Sequence, residues 1–145
     1  MIVIFCGPVD VGKTTVSGKL KTRLNEKDLG FKVMHSDDFS THTYDQMFEE
    51  VKESDENWIL DGTFYREDIR DKFRRLDDVM MVWLKAELET CLERNDLREE
   101  PLEEKVVHIM YHRFEEPDAD LKIETDDMDS EEVVDHIIEK WEDIK

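Results

Sequence analysis

The chain has 145 residues, 39 of them acidic and 20 basic, for a formal charge of −19 at neutral pH. One domain, a single sheet with its covering helices, is the expectation at this length. Such acidity works against broad binding of nucleic acid or an anionic membrane, yet leaves room for a small phosphorylated ligand at a local basic site.

The apolar fraction is only 39%, which raises disorder as a competitor, but the apolar residues come in compact runs separated by helix-like periods. In chain order the pattern predicts a strand over 2–6, a Gly-rich loop, and a helix over 13–29 stopped by Gly30. A second strand over 31–35 ends in Ser36, Asp37 and Asp38. A helix over 44–52, a strand over 58–60 and a helix over 67–75 follow, and the uninterrupted apolar run 79–84 reads as a strand buried on both faces of a parallel sheet. Then come a helix over 88–94, a charged break to Pro101, a helix to Phe114, a short strand over 121–124, and a last helix N-capped by Ser130 with Val134, Ile137, Ile138 and Trp141 on one face. Five strands alternating with helices imply βαβ units and a mostly parallel α/β sheet in one domain, residues 1–145.

The start MIVIFCG lacks a basic leader and no run reaches membrane-spanning length, so a cytoplasmic chain without a membrane partner is expected. Cys6 and Cys91 have neither disulfide nor metal spacing and read as reduced core thiols. Charge is uneven: residues 1–36 carry a net +3 and residues 115–145 a net −11. Seven of the eight arginines lie between Arg66 and Arg113, which points to anion handling; Arg70, Arg74 and Arg75 read better as surface ion pairs.

The decisive segment is GPVDVGKTT: Gly7, Pro8, Val9, Asp10, Val11, Gly12, Lys13, Thr14 and Thr15 match G-x-x-x-x-G-K-[ST] between an apolar strand and a helix. Loop and helix amides would surround phosphates, Lys13 would neutralise them, and the Thr14 hydroxyl would ligate Mg2+, so ATP and Mg2+ are the expected cofactors. Asp10 is unusual there and is expected to point outward or cap a loop amide.

For transfer to a hydroxyl, carboxylates near the metal and cations over the moving group are needed. Asp38, as acceptor-orienting base or metal ligand, and Asp37 behind it are the candidates after the second strand; N-capping is the competing reading. Asp61 ends the third strand as a Walker B-type acid or a turn residue before Gly62. Phe64, Tyr65 and Arg66 could hold a planar, anionic acceptor. Arg94 and Arg98, on a short charged segment broken by Asn95, Asp96 and Pro101, read as a lid. The five histidines show no metal spacing and are taken as structural.

The loop variant resembles that of polynucleotide 5′-hydroxyl kinases, a likeness confined to the loop. Together, GPVDVGKTT, HSDDF, DGTFYREDIRDKFRRL, LERNDLR and RFEEPDADLKIET resemble the small P-loop kinases that include adenylylsulfate kinase and O-phosphoseryl-tRNA kinase. That resemblance implies a three-layer P-loop fold with strand order 2-3-1-4-5, Mg·ATP as donor and an Asp after the second strand near the acceptor. The chain departs from the adenylylsulfate kinase pattern in having SDDFS after the second strand and no lysine-rich lid, and from the tRNA kinase pattern in leaving no residues for an RNA-binding domain. The expected activity is phosphotransfer from ATP to a hydroxyl of a small anionic acceptor. An RNA-linked kinase, with RNA binding unaided disfavoured by charge, and a P-loop switch that recruits a partner are the alternatives.

Overall fold

The computed structural model describes residues 1–144. The strands are β1 (Ile2–Cys6), β2 (Phe31–His35), β3 (Asn57–Asp61), β4 (Val79–Lys85) and β5 (Leu121–Glu124). Helices α1 (Lys13–Asn25), α2 (Thr43–Lys52), α3 (Glu67–Arg74), α4 (Leu88–Asp96), α5 (Glu104–Arg113) and α6 (Ser130–Ile144) connect and follow them. The sheet has the order β2-β3-β1-β4-β5, and every pairing is parallel.

β1 lies at the centre and is buried throughout, as an apolar strand covered on both faces must be. Its alternation divides the core. Val3 and Phe5 join Leu20 and Leu24 of α1 and Val134 and Ile137 of α6 on one face, whereas Ile2, Ile4 and Cys6 join Met47 of α2 and Phe73 of α3 on the other. Both thiols are interior: burial pushes Cys6 up to about 12 and Cys91 to about 11, so neither is a nucleophile at neutral pH.

Three helix ends differ notably from expectation, α4 running on to Asp96 through two residues expected to break it. α1 stops at Asn25 because the Lys27 and Asp28 amides turn back onto the Leu24 and Asn25 carbonyls, with Asp28 already left-handed at φ 60°. Asn25 then accepts from the Phe31 amide at 2.7 Å and fixes the start of β2. The cap of α6 is Asp129, not Ser130: Asp129 Oδ1 accepts from the Glu132 amide at 2.8 Å, and Ser130 is already helical.

The uneven charge has a structural outlet. Lys19 meets Glu131 at 3.1 Å, Arg23 meets Asp135 at 2.8 Å and Lys27 meets Glu142 at 3.6 Å, so the basic face of α1 and the turn after it are laid on the acidic α6. Among the described residues no helix is long and apolar enough to cross a membrane.

Candidate active site

The parallel sheet brings the carboxyl ends of β1, β2 and β3 to one edge, where ligand clefts form in open α/β sheets. A cleft of about 480 Å³ lies there, walled by Val9, Asp10, Gly12, Lys13, Thr14 and Thr15 of the loop, His35, Ser36 and Asp37 after β2, Asp61, Gly62 and Thr63 after β3, and Arg98 and Met110.

The loop is tightly constrained. A Cβ on Gly7 would sit 2.4 Å from the Leu84 carbonyl oxygen and 2.9 Å from Val11, which excludes any other residue without displacing β4. Gly12, at φ 98°, turns the chain into α1, whose first turn has no acidic residue and no side-chain cap. Its first amides therefore remain as donors for an anion. Lys13 Nζ arches over the loop to donate to the Gly7 and Pro8 carbonyls at 2.8 and 2.7 Å. Gly7, Pro8 and Val11 form the buried base of the loop and do not themselves line the cleft.

Asp61, at the end of β3 and 4% exposed, is the hub. Its Oδ2 accepts from the Thr14 hydroxyl at 3.0 Å and lies 2.8 Å from His35 Nδ1. A hydroxyl that donates to a carboxylate keeps its lone pairs for a cation, and hydroxyl plus carboxylate oxygen is the hard donor set Mg2+ takes beside phosphate. After β2 a single 3-10 turn, Ser36–Asp38, orders the two candidate acids. Both are exposed, but Asp37 lines the cleft and Asp38, the residue expected to lead, lies outside its walls.

The segment after β3 also departs from expectation. Phe64 has no solvent exposure and packs on Tyr44 at 4.7 Å and Phe73 at 5.1 Å, so it cannot contact an acceptor. Its backbone is left-handed, φ 45°, a costly state for an aromatic residue. Two side chains hold it: the Tyr44 hydroxyl accepts from the Phe64 amide at 3.0 Å and Arg70 Nη1 donates to its carbonyl at 2.6 Å. Arg70 is therefore no surface partner but a fully buried cation, lying 5.6 Å from the centre of the Phe114 ring. Arg74 reaches Asp71 at 3.3 Å and the Asp118 carbonyl, and Arg66 turns outward to pair with Asp68. Tyr65 does line a pocket, a 220 Å³ annex formed with Tyr44, Thr63, Ile109, Met110 and Arg113. Thr63 and Met110 also line the main cleft, so the two volumes share a wall.

Of the lid arginines, Arg94 is an anchor: it donates to the Asp10 carbonyl at 3.2 Å and to the Thr125 hydroxyl and carbonyl at 3.1 and 2.8 Å. Arg98 lines the cleft, with Nη1 3.4 Å from Asp10 Oδ1. The segment between α4 and α5 is pinned at its base, where Asn95 donates to the Leu102 carbonyl at 2.8 Å and accepts from its amide at 3.1 Å. Asp10 neither points outward nor caps an amide. It sits left-handed at φ 65°, its side chain 9% exposed against the cleft, with Oδ2 buried and unpartnered. Burial pushes its carboxyl upward, against the pull of Arg98, Lys13 and Arg94.

Sequence reasoning missed His35, Ser36, Thr63, Met110, Tyr44 and Arg113. His35, Ser36 and Thr63 carried a signal, their place just at or after a strand end, and Arg113 its place in the arginine cluster; Met110 reaches the cleft, and Tyr44 and Arg113 the annex, through tertiary packing.

A family model described as AAA domain matches residues 2–117. The L-seryl-tRNA(Sec) kinase of Methanococcus maripaludis is 24% identical over 96% of this chain, which spans 65% of that relative's length. A gluconokinase from Sinorhizobium meliloti superposes with a TM-score of 0.81 at 12% identity, over 98% of this chain and 91% of that one. The adenylylsulfate (APS) kinase of Mycobacterium tuberculosis, solved with AMPPNP and APS, superposes with a TM-score of 0.80 at 18% identity, over 97% and 96%. The matched segment contains the phosphate loop, the first four strands and the lid, and by it this chain belongs to the AAA domain family, on the fold of the P-loop kinases.

Proposed function

We propose that this protein is a kinase that transfers the γ-phosphate of ATP to a hydroxyl of a small acceptor carrying an anionic group. The observation that carries the reading is that the phosphate loop and the Asp37 carboxylate line one cleft that abuts a second, less polar volume. Loop amides and Lys13 bind the β and γ phosphates; Asp37 orients the acceptor hydroxyl and takes its proton; Arg98 stabilises charge on the moving group. Thr14 and Asp61 would hold Mg2+, whose positive charge would offset the negative charge of the phosphates. Asp38, outside the cleft wall, serves at most to set the 3-10 turn.

The annex supports a specific acceptor chemistry. Tyr44, Tyr65, Ile109 and Met110 present ring and hydrocarbon surface, and the Arg113 guanidinium stands beside them without an ion-pair partner among the described residues. A polyol would leave such walls unused; a planar ring bearing a sulfate or phosphate would use both. Adenylylsulfate has that form, as does the terminal nucleotide of an aminoacyl-tRNA, the class of substrate acted on by the Methanococcus relative.

The test is transfer of label from γ-labelled ATP to adenylylsulfate, nucleosides, gluconate, seryl-tRNA and 5′-hydroxyl RNA at low and high salt. Transfer to a ring-bearing anionic acceptor but not to gluconate is expected. Nucleotide binding without transfer to any acceptor would favour the switch reading, and strongly salt-dependent tRNA phosphorylation the RNA-linked one.

A further inference from the structure

We infer that His35 is a positioning residue for the metal-binding carboxylate, an assignment that rests on the reading of Thr14 and Asp61 as the Mg2+ ligands. His35 ends β2, Asp61 ends β3, and the two are register partners in the parallel ladder. Adjacent parallel strands place such a pair side by side on the same face, so the contact is fixed by the backbone and does not depend on long flexible side chains.

Two donors converge on one oxygen. Asp61 Oδ2 receives the Thr14 hydroxyl at 3.0 Å and His35 Nδ1 at 2.8 Å. A carboxylate oxygen accepts, so the hydrogen is assigned to Nδ1 of His35. With Oδ2 gripped from both sides the carboxylate is held against rotation about its χ2, a broad and soft torsion when unrestrained. Thr14 alone would not suffice, because its hydroxyl swings freely and must also offer a lone pair to the ion. The carboxylate is 5% exposed while the imidazole is 35% exposed and lines the cleft. Both residues line the cleft, and with the two donors on Oδ2 it is Oδ1 that is left as the carboxylate oxygen without a hydrogen-bond donor among the described residues. Outer partners that orient metal-binding carboxylates commonly change metal affinity by about 10- to 100-fold when removed.

The assignment predicts a metal-specific defect that can be read without turnover. ADP affinity is measured by calorimetry in EDTA and in a Mg2+ series for wild type, His35→Ala, His35→Asn and His35→Gln. In wild type, Mg2+ tightens ADP. In His35→Ala, affinity in EDTA stays within about twofold of wild type, while the Mg2+ concentration for half of the tightening rises by about tenfold. Asn places an amide nitrogen near the position of Nδ1 and should recover most of the response; Gln places it further out and should not. The Asn and Gln pair keeps the test valid if the alanine variant fails to fold, because both retain a polar side chain of similar bulk. A Mg2+ response equal to wild type in both His35→Ala and His35→Gln overturns the assignment of His35 alone. A wild-type protein that binds no ADP at all overturns the nucleotide reading and this assignment with it.

Discussion

Arg70 Nη1 donates to the Phe64 carbonyl at 2.6 Å from a position with no solvent exposure. The bond reaches across the first turn of α3 and holds the left-handed Phe64 that shapes Gly62 and Thr63 at the cleft. Two of the guanidinium nitrogens, Nε and Nη2, have no partner in the protein, so the charge is kept for this one bond and for its stacking on Phe114. Arg70→Ala loses packing volume and the bond, and is expected to cost about 3 kcal/mol in urea unfolding. Arg70→Met keeps most of the volume and removes a desolvated charge, so it should cost about 1–2 kcal/mol. A loss below about 0.5 kcal/mol for the alanine variant would show that the turn holds its shape without Arg70.

The two acids after β2 should separate in kinetics. Asp37 lines the cleft and Asp38 does not. Asp37→Asn is expected to lower kcat by about 100-fold or more with ATP affinity nearly unchanged, as loss of a group acting on the acceptor proton does. Asp38→Asn should change kcat by less than about threefold. The reverse pattern in steady-state rates would return the acceptor role to Asp38.

The lid arginines divide stability from rate. Arg94 ties the Asp10 carbonyl to Thr125, so Arg94→Ala should destabilise the fold by about 1–3 kcal/mol and weaken nucleotide binding through a loosened loop. Arg98 is exposed and makes one long contact, so Arg98→Ala should leave the unfolding midpoint within about 0.5 kcal/mol while lowering kcat by about 100-fold. An Arg98→Ala enzyme within about threefold of wild type would remove Arg98 from the transition state.

These residues also show what was legible in the sequence. The sheet could be read because its strands are apolar runs and its order follows the P-loop pattern; the loop, because backbone geometry restricts it to a few residue types. Charge was the weaker guide. The first 36 residues carry a net +3, yet Lys19, Arg23 and Lys27 pair with α6 and Lys32 with Glu56, and of the basic groups in that stretch Lys13 stands at the loop. Arginine clustering likewise brought together residues with different fates: Arg70 in the core, Arg94 under the loop, Arg98 on the cleft and Arg113 on the annex. Local sequence cannot distinguish these, because burial of an arginine depends on acceptors such as the Phe64 carbonyl that only the folded chain supplies. Phe64 itself reads as an aromatic for the acceptor, and its left-handed backbone becomes tolerable only when Tyr44 and Arg70 hold its N–H and its carbonyl.

Asp10 is the residue at which the loop works against itself, and its pH behaviour follows from the direction of its shift. Burial pushes the carboxyl above its usual 3.8, while Arg98, Lys13 and Arg94 pull the other way without cancelling the effect. The folded protein therefore holds this proton more tightly than the unfolded chain. In the window that opens near 3.8 and closes at the raised folded value, the folded state binds more protons, and stability falls as pH rises through it. At neutral pH the ionised carboxylate is a standing cost, made concrete by the buried, unpartnered Oδ2. Asp10→Asn keeps the size, tolerates the left-handed backbone and removes the charge. It is expected to stabilise the fold by about 1 kcal/mol at pH 7 in urea unfolding, with the gain shrinking as pH is lowered towards the ordinary aspartate range. The same substitution removes a negative charge from the wall that faces the phosphates, so ADP affinity by calorimetry should tighten by about three- to tenfold, less at high salt. Weaker ADP binding in Asp10→Asn, with no gain in stability at pH 7, would mean that the carboxylate's hold on Arg98 matters more to the site than its repulsion of phosphate.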